Sequence, residues 1–156
     1  MNGLLPKAMQ RNTKNEKKIL LTIDDGFKSF YEEAWPYLKE NEIPFILFVS
    51  TEPIGKRGYM TWEQIKEIEK EKFAYIGNHS HTHEYLIDVS NKDFILDIET
   101  ANKIFLKELG YVPSLFSYPF GEYSLFIKSY NNSWKLCKFY SFWGSSQNSA
   151  KLFDKF

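Results

Sequence analysis

Four short apolar runs along this chain alternate with stretches in which apolar residues recur every three or four positions. The runs "KKILLTI" (17–23), "PFILFVS" (44–50), "FAYIG" (73–77) and "SLFSYPFG" (114–121) are bounded by charged or turn-forming residues, which predicts buried strands. Between them, "SFYEEAWPYLKEN" (29–41) predicts a helix in which Pro36 either starts the regular part or kinks it, because proline offers no N–H and crowds the preceding turn. "TWEQIKEIEKEK" (61–72) sets Thr61 and Gln64 at capping-box spacing and Trp62, Ile65 and Ile68 on one side of a helix. The stretch 90–110 is the most regular. Ser90 is its expected cap, Phe94, Ile98, Ala101 or Asn102, Phe105 and Leu109 its apolar stripe, and Gly110 its stop. Strand and helix therefore alternate, the order of a parallel sheet or barrel in an α/β fold.

After Tyr123 this pattern is lost. From Ser129 to Ser149, ten of 21 residues are Ser, Asn or Gln, and no acidic residue appears until Asp154, so the segment reads poorly as a continuation of the fold. The chain divides on this reading into a basic N-terminal segment (1–17), one α/β domain (18–123) and an atypical polar segment (124–156).

Length and charge narrow the function class. A chain of 156 residues, 43% hydrophobic and 18% aromatic, can bury one sizeable core and is most simply one domain. No apolar run approaches the ~20 residues of a membrane span. The first 18 residues lack the sustained apolar stretch of a secretory signal, so the chain as written carries no export address. Cys137 is the single cysteine and excludes an intrachain disulfide. Zero net charge hides an uneven distribution: residues 1–18 and 124–156 each carry five basic and one acidic side chain, leaving ten basic against eighteen acidic between them. An acidic body has the wrong sign for phosphate, so nucleic acid is not an expected partner.

Three short stretches carry candidate chemistry. In "LLTIDDGFKSF", Asp24 and Asp25 end an apolar run just before Gly26. Asp-Asp-Gly is ordinary turn chemistry. Consecutive side chains of an extended segment also diverge, so the two carboxylates can hold different roles. "GNHSHTHEYL" holds every histidine of the chain, His79, His81 and His83, directly after a predicted strand. On one helical turn, His79 and His83 would share a face and bind a divalent metal together with a carboxylate such as Asp25. If the segment is extended instead, His79, His81 and His83 project to one side as a three-histidine site, and a polar loop with incidental imidazoles is the third reading. The positions between His79 and His83 hold no carboxylate, unlike the HExxH arrangement, so a general base must come from another strand end. In "FSYPFGEY", Pro119 stiffens a strand-terminating turn and Gly121 permits close approach or an unusual backbone angle.

Taken together, "TIDDG", "HSHTH" and "SYPFG" resemble, in order, the first three motifs of the polysaccharide deacetylases, the NodB-like carbohydrate esterases of family 4. The resemblance covers roughly Lys18 to Tyr123. It implies a distorted (β/α) barrel of fewer than eight units, here incomplete at the C-terminus, with its site at the strand C-terminal ends. It further implies Asp24 as general base, Asp25, His79 and His83 as ligands of a divalent metal such as zinc, cobalt or nickel, and the backbone N–H of Phe120 as an oxyanion donor. The implied substrate is an acetylated polysaccharide, with an N-acetylglucosamine polymer favoured weakly by "SYPFGEY", and the implied place of action is the cell envelope or outside the cell.

The chain departs from the family twice. Ser117 stands where many members begin the third motif with arginine, and no histidine follows His83, although the family's general acid is a late histidine. A truncated or frame-shifted product, or a fragment of a longer gene, is the expectation. Three functions remain open at this level: a metal-dependent polysaccharide N-deacetylase, a weakly active or inactive remnant that binds metal or glycan, and a three-histidine metalloenzyme of another fold.

Overall fold

A computed structural model of the chain describes residues 20–126 and the backbone of 137–139; the basic segment 1–17 and the rest of 124–156 lie outside the described residues. Five strands form one sheet: β1 (Leu21–Ile23), β2 (Phe45–Val49), β3 (Ala74–Asn78), β4 (Leu115–Ser117) and β5 (Cys137–Phe139). They lie in chain order and every pairing is parallel. The segments joining the first four carry α1 (Trp35–Glu40), α2 (Trp62–Glu69) and α3 (Asn91–Leu109). Among the described residues β1 and β5 are the two edges, so the sheet is open.

Helix starts and stops follow local chemistry. Thr61 and Gln64 form both halves of the capping box at the start of α2. Ser90 caps α3 through the N–H of Asp93, and Gly110 ends it with φ 80°, a left-handed angle that suits a residue without Cβ. Pro36 starts the regular part of its helix, as one of the two expected outcomes had it. The residues before it, Phe30–Ala34, form a π turn, and the wider turn accommodates the missing donor and the ring.

The period-2 alternation of the strands separates two apolar layers. Phe45, Leu47 and Val49 of β2 join Ala74 and Ile76 of β3 against Trp35, Leu38, Ile65, Ile68, Ala101 and Phe105, so all three helices cover one face. The first turns of α3 continue that layer through Phe94 and Ile98 against Phe116 and Tyr118. Ile46, Phe48 and Leu115 form the opposite layer. Ala101, not Asn102, completes the α3 stripe, and Asn102 accepts a 3.0 Å bond from the side chain of Asn78.

Strand β5 is the departure from the sequence pattern. It pairs Cys137 with Leu115, Lys138 with Phe116 and Phe139 with Ser117, inside the segment whose composition argued against continuation. Three residues suffice for a parallel pairing, and a polar average taken over 21 residues conceals them.

Candidate active site

Because all strands run the same way, their C-terminal ends share one rim of the sheet. Asp24 and Asp25 follow β1, Ser50 and Thr51 follow β2, His79 follows β3, and Tyr118 to Phe120 follow β4. Each sequence motif therefore meets the others without a long-range bend of the chain.

Asp25 does not continue the strand. Its φ is 72° and that of Gly26 is 89°, and the N–H of Gly26 closes a tight turn on the Asp24 carbonyl at 2.9 Å. The turn expected of Asp-Asp-Gly is present, and it is this left-handed turn, not strand alternation, that separates the two carboxylates. A side chain at position 26 would also be strained, with its Cβ 2.9 Å from Ile54 Cδ1.

The histidine segment is a loop, and it adopts neither the helical nor the extended geometry considered from sequence for metal binding. Residues 79–84 form an irregular loop in which Ser80 (φ 71°) and His83 (φ 59°) occupy left-handed conformations. Short polar side chains stabilise those turns: Ser80 N–H donates to Asn78 Oδ1 at 2.8 Å, and His83 N–H to Ser80 Oγ at 3.1 Å. The outcome brings His79 and His83 side by side, their rings 4.9 Å apart. His83 Nε2 lies 3.0 Å and His79 Nε2 3.4 Å from the same Asp25 oxygen, Oδ1. His81 takes another direction, with Nδ1 2.8 Å from Thr51 Oγ1.

Asp25, His79 and His83 present ligand atoms that all lie within 4.8 Å of one another, the one such group among the described residues. The set fits a divalent ion. Asp25 Oδ1 is buried without a hydrogen bond of good geometry, and His79 Nδ1 donates to the Ser117 carbonyl at 2.9 Å, which leaves Nε2 as the nitrogen that faces Asp25. Burial alone would raise the Asp25 carboxyl, but the two imidazoles outweigh it and hold the group well below the usual carboxylate range. His83 is raised in turn, chiefly by Asp25, with a smaller contribution from the charge of Asp24.

Asp24 Oδ1 is buried near this group, and Phe120 forms its outer edge. The Phe120 ring is largely exposed, stands 4.9 Å from that of His83 and 5.4 Å from that of Tyr85, and its backbone has φ 60°. Sequence reasoning missed the Ser117 carbonyl as the partner of His79, and it missed Asp97, which accepts three hydrogen bonds from the histidine loop. A main-chain carbonyl leaves no trace in side-chain identity. Asp97 did leave one, as a carboxylate three residues after Phe94 and four before Ala101, beside the buried stripe of α3.

The sequence profile of the family described as "Polysaccharide deacetylase" matches residues 11–136. The chain belongs to that family. It is 28% identical over 110 residues to YxkH of Bacillus subtilis, named as a candidate polysaccharide deacetylase, covering 70% of this chain and 39% of YxkH. It is 24% identical over 119 residues to the poly-β-1,6-N-acetyl-D-glucosamine N-deacetylase of Staphylococcus aureus, covering 68% of this chain and 41% of that protein. Among solved structures, peptidoglycan deacetylase PdaC from Bacillus subtilis matches with a TM-score of 0.68 at 27% identity, over 83% of this chain and 60% of that one. IcaB from Ammonifex degensii matches with a TM-score of 0.66 at 26% identity, over 73% and 55%. The open parallel sheet is thus part of a NodB-type (β/α) barrel. The chain spans about two fifths of the length of these two curated relatives. No helix among the described residues is long and apolar enough to cross a membrane.

Proposed function

We propose that the chain carries the catalytic centre of a metal-dependent polysaccharide deacetylase that removes N-acetyl groups from an N-acetylglucosamine polymer. The observation that carries this reading is the convergence of His79 and His83 Nε2 on Asp25 Oδ1 at the C-terminal rim of the sheet. Asp25, His79 and His83 hold the ion, with zinc the best match to two imidazoles and a carboxylate and cobalt or nickel as alternatives. Such an ion supplies Lewis acidity that lowers the pKa of water and polarises an acetyl carbonyl.

The remaining work falls to the chain's own groups. Asp24, adjacent in sequence to the ligand Asp25 but separated from it by the turn, takes the proton of the attacking water. The N–H of Phe120 donates to the oxygen that becomes negative as the carbonyl carbon turns tetrahedral. Ser117 keeps His79 in the tautomer that presents Nε2. The exposed ring of Phe120, packed against His83 and Tyr85, offers an apolar edge on which a sugar face can rest. The polymer is proposed from the Staphylococcus aureus relative, whose name specifies poly-β-1,6-N-acetyl-D-glucosamine.

A second reading, a centre that binds metal but turns over amides poorly, is favoured by one specific observation: among the described residues His79 and His83 face Asp25 and His81 faces Thr51, so no imidazole is placed to protonate a leaving amine. Acetate release from N-acetylglucosamine oligomers by the zinc-loaded protein, with and without chelator, tests both. Chelator-sensitive release supports the deacetylase. Metal uptake without release supports the second reading, and absence of both removes the metal centre.

A further inference from the structure

His79 and His83 are held in unequal ways. His79 continues β3: its N–H bonds the Val49 carbonyl at 3.0 Å, its ring bonds Ser117, and its carbonyl accepts from Ser50 Oγ at 2.8 Å. His83 belongs to no strand or helix and sits at a left-handed φ that a histidine adopts at a cost. Its place depends on the path of the chain between the two ligands.

That path is held from both sides. The carbonyls of Ser80 and His81 accept from the N–H groups of Thr51 and Glu52, at 3.2 and 3.0 Å, as an extension of β2. The N–H groups of His81 and Thr82 point the other way and converge on one carboxylate, that of Asp97 in α3. His81 N–H reaches Oδ1 at 2.8 Å, Thr82 N–H reaches Oδ2 at 2.9 Å, and Thr82 Oγ1 donates to Oδ2 at 2.6 Å. Hydrogen bonds to an ionised acceptor are about twice as strong as neutral ones. Three of them on residues 81 and 82 over-determine the loop in a way that a single cap does not.

We propose that Asp97 is a positioning residue of the metal centre: it sets the conformation of the histidine loop and so delivers His83 Nε2 to the Asp25 oxygen that His79 Nε2 faces. This rests on the metal reading above, and Asp97 touches neither ligand side chain nor substrate. Without its carboxylate, two main-chain N–H groups lose their acceptor, the left-handed turns relax, and His83 departs while His79 stays in register with β3.

The test is metal binding, measured apart from turnover. Cobalt is titrated into the metal-free protein and its visible absorption followed, with zinc competition giving affinity, for the parent chain and for Asp97→Asn, Asp97→Ala, His83→Ala and Ser90→Ala. Asp97→Asn keeps the volume of the side chain but sets an amide donor against one of the loop donors. Affinity should therefore fall about 10–100-fold in Asp97→Asn, the range for outer-shell changes around a metal. The cobalt spectrum should move toward that of His83→Ala. Ser90→Ala removes the α3 cap without touching the loop, so it should lower the thermal midpoint and leave cobalt affinity and spectrum as in the parent. Should Asp97→Ala fail to fold, the near-isosteric Asp97→Asn decides. Parent-like affinity and spectrum in Asp97→Asn overturn the proposal, as does an equal loss in Ser90→Ala. If the parent takes up no cobalt, or His83→Ala binds as well as the parent, the metal reading fails and this assignment falls with it; parent binding lost in His83→Ala but kept in Asp97→Asn refutes the assignment alone.

Discussion

Replacing Gly77 by alanine sets two physical expectations against each other. Gly77 lies inside β3, directly opposite Phe48 of β2 in the parallel register. On propensity alone, alanine should stabilise a strand interior by about 0.5–1 kcal/mol, because glycine loses more backbone entropy on folding. The structure argues the reverse. A Cβ at position 77 would stand 2.3 Å from Cδ1, 2.4 Å from Cε1 and 3.2 Å from Cγ of Phe48, whereas carbon atoms pack comfortably at ~3.5–4.0 Å. The ring must therefore move by more than ~1 Å, and it is fully buried in the layer with Ile46 and Leu115. Overpacking of this kind costs about 1–3 kcal/mol, and overlap with two ring atoms belongs at the upper end. Subtracting the propensity gain leaves a net destabilisation of about 2 kcal/mol. Urea denaturation followed by circular dichroism and tryptophan fluorescence measures it, as a fall in midpoint at unchanged slope. Phe48→Leu in the same background should recover part of the loss, so that the double variant is more stable than the sum of the single changes. A Gly77→Ala protein as stable as the parent, or more so, would show that Phe48 does not lie over Gly77 as described.

The other predictions concern the site. Alanine at Asp25, His79 or His83 should weaken zinc and cobalt retention by more than the ~10–100-fold that outer-shell changes cost, while His81→Ala, whose ring faces Thr51, should bind as the parent does in equilibrium dialysis. Asp24→Asn should keep the metal, measured by elemental analysis, and lose about 10²–10⁴-fold in turnover; full turnover would remove Asp24 as base. Because His79 and His83 face Asp25 and His81 faces Thr51, no imidazole among the described residues is placed to protonate a leaving amine, and the chain should hydrolyse an aryl acetate, whose leaving group needs little protonation, far better than an N-acetyl amide. Equal efficiency on the two substrates in an acetate-release assay would reveal another acid. Ser117→Ala should be neutral or slightly stabilising by thermal melt, since its Oγ is buried without a partner among the described residues and His79 uses the carbonyl, which alanine retains.

What the sequence determined by itself was most of what depends on neighbours a few residues away. The identity of β1 to β4, the Thr61–Gln64 box, the Ser90 cap, the Gly110 stop and the α3 stripe are local patterns, and they appear where the periodicity placed them, although β1, expected as a buried strand, lies at the sheet edge with Leu21 and Thr22 exposed. Three motifs at the ends of predicted parallel strands also sufficed to gather Asp24, Asp25, His79, His83 and Phe120 at one rim, because a parallel sheet puts all such ends on the same side. Only the tertiary structure decided how these side chains meet. Helix and extended chain were both reasonable for 79–83, and neither holds, because the loop takes its shape from groups distant in sequence: Thr51, thirty residues before His81, and Asp97, sixteen after it. Likewise the tautomer of His79 is set by the main chain of Ser117, 38 residues on. Such hydrogen bonds have no period. They satisfy polar groups that folding brings together, and they become legible only once packing has fixed which strand ends and helix faces are neighbours.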